Sequence, residues 1–164
     1  MGLSLSTDAT PLFNTPLEAG VRAVLILDAF APEAFDLATL SLLDYYIVHT
    51  GDIDGPPSLH PELNARAGEY FVRRHLVEQG LSLMARASLV EQVFATSGIA
   101  FRAHETAAAM TDLLGSRYNR QLAEAARWLS REAAAQGIEP FIRSLKEGLE
   151  RWSHEIVGKA PRHV

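Results

Sequence analysis

Cysteine is absent from this chain of 164 residues. That removes disulfides, thiolate metal ligands and cysteine nucleophiles, and it fits a reducing compartment. No apolar run approaches the ~18 residues that a membrane span requires. The first residues, MGLSLSTDATPLF, lack the basic start and apolar core of a signal peptide. The expected compartment is the cytoplasm, without membrane contact. Chemical signatures are missing as well. There is no Gly-rich phosphate loop ending in Lys-Ser/Thr, no dinucleotide fingerprint and no Gly-x-Ser-x-Gly elbow. His104-Glu105 opens like a zinc-protease motif, but Thr-Ala-Ala follows, and no second histidine stands four residues after the first. The expectation is a non-enzyme with no catalytic residues, no cofactor and no resident metal.

Basic residues are missing from one long stretch. Between Phe30 and Asn64 stand Glu33, Asp36, Asp44, Asp52, Asp54 and Glu62, with no Lys or Arg. From Ala65 to His104 the balance reverses, with Arg66, Arg73, Arg74, Arg86 and Arg102 against Glu69, Glu78 and Glu91. Such asymmetry suits two differently charged faces. The net charge of −5 argues against a strong nucleic-acid binder, which usually carries a basic excess.

What is present is mainly helical signal. Thr15, Pro16 and Glu18 form a capping box with proline at the first helical position, and the apolar stripe behind them runs to Phe30. Asp36 caps the next helix, LATLSLLDYYIVH, which is apolar on nearly all sides and is expected to be the most buried element. A long helix over roughly 65–87 follows, opened by Glu62 or Asn64, with Gly80 tolerated inside it at a cost of ~1 kcal/mol relative to Ala. Ser88–Glu105 then alternates around Thr96-Ser97-Gly98 and reads as a two-stranded hairpin. A lone hairpin is unstable in water, so it must pack on the helices. Thr106 opens a short helix ending near Gly115. RYNRQLAEAARWLSREAAAQ forms another, ending at Gly137. Pro140 leads into the last, where Ile142, Leu145, Leu149, Trp152 and Ile156 make a narrow seam. The expected fold is mainly α (α+β): a winged helix-turn-helix-like core with one β-hairpin wing over 15–115, C-terminal helices over 116–157 and a loose N-terminus over 1–14, all in one domain of 1–164.

The segment from His49 to Arg74 changes character most abruptly. Its loop holds His49, Asp52, Asp54 and His60, residue types that suit divalent metals. The spacing His-x-x-Asp-x-Asp is too loose to specify a site, and Asp52 and Asp54 better suit turn hydrogen bonds to backbone amides. The loop is a candidate recognition element. Arg66, Arg73 and Arg74 share a helical face, and forked guanidinium groups there bind phosphates or carboxylates. The alternative is internal pairing with Glu69 or with the acidic loop, in which case they hold the loop in shape. Leu145, Leu149 and Trp152 either close the chain's own core or dock on a partner helix or a second copy.

The segments TPLEAGVRAVLIL, FDLATLSLLDYYIVHTGDIDGPPSLHPE, GEYFVRRHLVEQGLSLM and LVEQVF…GIAFRAHE resemble the middle component of bacterial ABC-three-component systems, defence modules related to Lamassu-type antiphage systems. The resemblance runs from about Thr15 to Trp128, and its most specific parts are His49–His60 and Val72-Arg73-Arg74. It implies a non-catalytic adaptor beside an SMC-like ABC ATPase subunit and an effector subunit, with DNA contact within the complex left open. The runner-up reading is a winged-helix DNA-binding regulator. A small metal-dependent hydrolase rests only on the acidic loop.

Overall fold

The computed structural model describes residues 15–61 and 66–158. The expectations for residues 1–14 and for a cap at Glu62 or Asn64 lie outside the described residues.

Helix α1 spans Pro16–Ala29, and the Thr15 hydroxyl accepts from the Glu18 amide at 3.3 Å as its cap. Helix α2 spans Leu37–Val48, and the Asp36 carboxylate caps it by accepting from the Thr39 amide at 2.8 Å. Both caps satisfy a backbone donor that the first helical turn leaves without an internal partner. In α2 every residue from Leu40 to Val48 is buried. No solvent face remains because α1, α3, α5 and α6 all pack on it. That accounts for its lack of a polar stripe.

Helix α3 is one element, Arg66–Arg86, uninterrupted at Gly80. The glycine is required by α1. A Cβ on Gly80 would sit 2.5 Å from the Gly20 nitrogen and 2.6 Å from the Pro16 carbonyl oxygen. The two helix backbones therefore touch at a Gly20–Gly80 crossing that no larger residue fits.

Strands β1 (Val90–Ala95) and β2 (Gly98–Ala103) form an antiparallel hairpin, paired from Val90 opposite Ala103 to Ala95 opposite Gly98. Arg102 bonds the carboxylate of its cross-strand neighbour Glu91 at 2.8 Å. This hydrogen bond holds Glu91 below the usual carboxylate range. The hairpin is docked as its marginal stability alone demands. Phe35, between α1 and α2, exchanges both backbone hydrogen bonds with Phe101 of β2, at 2.9 and 2.8 Å.

Helix α4 covers Ala107–Leu113, α5 covers Arg117–Gln136 and α6 covers Ile138–Gly158. Helix α5 buries Leu122, Ala125, Ala126, Leu129 and Ala133 along one face. In α6 the buried line is Phe141, Leu145 and Leu149, while Ile142 is only partly covered. The Tyr46 hydroxyl donates to the Leu145 carbonyl at 2.9 Å, tying α6 to α2. One continuous apolar core joins α1, α2, α3, α5 and α6. The architecture of the described residues is thus mainly helical with one antiparallel hairpin.

Candidate functional site

Asp44 is a carboxylate in the middle of the most apolar helix, and it is 1% exposed. A buried charge of this kind must be paired and hydrogen-bonded. Arg22 of α1 donates from Nε to Asp44 Oδ1 at 2.6 Å. Arg73 of α3 donates from Nη1 to Asp44 Oδ2 at 2.9 Å. Both guanidinium groups are as buried as the carboxylate. One carboxylate thus joins three helices through charge-assisted hydrogen bonds.

Tyr118 of α5 lies close enough to feel this cluster. Burial pushes its phenol up to about 12, against the opposing pull of Arg22 and Arg73. It stays protonated at ordinary pH, and its oxygen lies 2.9 Å from His60 Nε2. Glu18, one turn before Arg22, is raised by burial while Arg22 opposes the shift.

The loop after α2 is built from its own bonds. His49 ends α2, and its ring stacks on Tyr45 with centroids 4.5 Å apart. Asp52 accepts from the Tyr45 hydroxyl at 2.9 Å. Asp54 takes the left-handed conformation at φ 60°, and its amide bonds the Thr50 carbonyl. Its side chain is exposed. Thr50 Oγ1 donates to the Pro56 carbonyl at 2.8 Å, and the Gly51 amide donates to Ser58 Oγ at 2.9 Å. A loop with this many internal bonds holds a defined shape.

That shape is set against α5 by Trp128. A Cβ on Gly55 would lie 2.6 Å from Trp128 Cη2 and 2.9 Å from the Thr50 carbonyl oxygen. Gly55→Ala is therefore expected to push the loop off the indole at a cost of about 1–3 kcal/mol. A Trp152→Phe background isolates the Trp128 emission, which should shift with the melt. An unchanged emission and melting temperature would contradict this packing. Between the loop and α5 runs a groove of about 430 Å³. Pro56, Pro57 and Leu59 form one wall, and Gln121, Arg127, Trp128 and Arg131 form the other.

The expected site residues separate in space. Arg73 faces inward and bonds Asp44, because α3 crosses α2 beside Asp44. A contact from Arg73 to an outside molecule would first have to break that bond. Arg74 points outward and is exposed. The side chains of Arg66 and Trp152 lie outside the described residues. His49 is buried, and His60 is half-buried against Tyr118. Leu145 and Leu149 lie in the chain's own core. Among the described residues, no three His, Asp or Glu side chains converge as metal ligands would. Sequence reasoning passed over Arg22, Asp44, Tyr118 and the groove residues Arg127, Trp128 and Arg131. A lone acid inside LATLSLLDYYIV was itself a signal, since an unpaired carboxylate does not survive there.

Residues 12–155 match the family ABC-three component (ABC-3C) system Middle Component 2, and the chain belongs to that family. No curated protein and no solved structure matches the chain. No helix among the described residues is long and apolar enough to cross a membrane.

Proposed function

We propose that this chain is a non-catalytic adaptor in a bacterial defence complex, linking an SMC-like ABC ATPase to an effector subunit. Membership of a middle-component family carries the reading. The surface supports it. Phe94 and Ile99 stand opposite each other near the hairpin tip, 80% and 49% exposed, and Leu113 is 83% exposed. Large apolar side chains left exposed at the hairpin tip and the end of α4 suit a contact surface. The core reads as a winged helix: α1, the Phe35 bridge, α2, α3 and the hairpin follow one another in the order of that fold, with the bridge in place of its first short strand.

Co-expression with the ATPase and effector components of the same system tests the reading. The chain is expected to co-purify with the ATPase and to lose most of that association when Phe94 and Ile99 are both changed to Glu. Elution of the chain alone, at its own mass, with both other components present would reject the adaptor role.

A further inference from the structure

We infer that the groove between the Pro56-Pro57 loop and α5 captures an acidic, partly apolar peptide segment of a partner component. The inference deepens the adaptor reading and rests on it for the identity of the partner.

The chemistry comes from α5. Arg117, Arg120, Glu124, Arg127 and Arg131 recur at spacings of 3, 4, 3 and 4, so they share one helical face. All five are exposed. Four cations against one anion make this face basic on a chain whose net charge is −5. Arg127 and Arg131, one turn apart, line the groove. Neither makes an ion pair or a hydrogen bond among the described residues. Exposed guanidinium groups spaced in this way can each take a carboxylate in forked geometry.

The rest of the groove sets the form of the occupant. Its floor and walls are half apolar, from Trp128, Ala125, Pro56, Pro57 and Leu59. The loop wall is held by the Thr50–Pro56 and Gly51–Ser58 bonds and is seated on Trp128 through Gly55. A rigid channel with an indole beside two arginines fits an extended segment bearing an apolar anchor next to acidic residues. Glu124 decides between a peptide and a nucleic acid. A phosphodiester strand carries a charge at every nucleotide and would place one against Glu124. A peptide can place carboxylates opposite Arg127 and Arg131 and a neutral residue opposite Glu124.

Emission from Trp128, isolated by Trp152→Phe, reports occupancy. The probes are a synthetic peptide rich in Glu and Leu, its Lys counterpart, and a single-stranded oligonucleotide of random sequence. The acidic peptide is expected to shift the emission, with affinity falling as salt is raised. Arg127→Glu together with Arg131→Glu should weaken it about tenfold or more, as expected for the loss of charged hydrogen bonds. If that pair of changes lowers the melting temperature, Arg127→Gln with Arg131→Gln should show the same direction of loss. No response to the acidic peptide, equal affinity in the variants, or tighter binding of the Lys peptide or the oligonucleotide would overturn the inference. A parent chain that binds the acidic peptide but never co-purifies with the ATPase leaves the groove standing and removes the adaptor reading. Co-purification without any peptide response does the reverse.

Discussion

Asp44→Ala is expected to cost about 3–5 kcal/mol, the usual range when one partner is removed from a buried ion pair. The change strips the carboxylate from between Arg22 and Arg73, at 2.6 and 2.9 Å, in a site that water does not reach. Both cations would remain buried without it. A chain of this size is stable by only about 5–15 kcal/mol, so the variant sits near the limit of folding. Arg22→Met should be milder, since it leaves Asp44 bonded to Arg73. Urea melts with matched slopes measure both. A loss below about 1 kcal/mol for Asp44→Ala would show that the cluster is solvated rather than sealed.

Gly80→Ala reverses the ordinary sign of its substitution. In an exposed helix interior, replacing Gly with Ala stabilises by about 1 kcal/mol. Here the added methyl meets backbone atoms of Gly20 and Pro16 at 2.5 and 2.6 Å. Backbone cannot rotate aside as a side chain can. Helices α1 and α3 would have to separate along their shared face, at a cost of about 3 kcal/mol or more. A thermal melt decides it, and an unchanged or raised midpoint would place the two helices further apart than described.

Much of the fold was legible because local chemistry carries it. Thr15 and Asp36 each cap the helix that follows. The alternation around Thr96-Ser97-Gly98 marked the hairpin, and the apolar run of α2 marked the deepest element. The presence of Gly80 within one helix was legible, but its reason was not, since that lies in a helix 60 residues away in sequence. The site was read less well for the same cause. Arg73 lies within reach of several acids along the chain, and only the crossing of α3 over α2 selects Asp44. Arg127 and Arg131 gain meaning only when Pro56 and Pro57 are folded back against Trp128.

The Phe35–Phe101 pairing gives the hairpin a handed edge. At Phe101, β2 has spent its outward amide and carbonyl on Phe35, so that side is already occupied at its centre. Among the described residues, β1 makes no such pairing along its outer side. A strand offered by another molecule finds its continuous register beyond β1, and once added it becomes the new border. Stacking copies into a ribbon needs two receptive borders on every copy. With one border stoppered by its own chain, the hairpin would not serve as a link in a growing sheet.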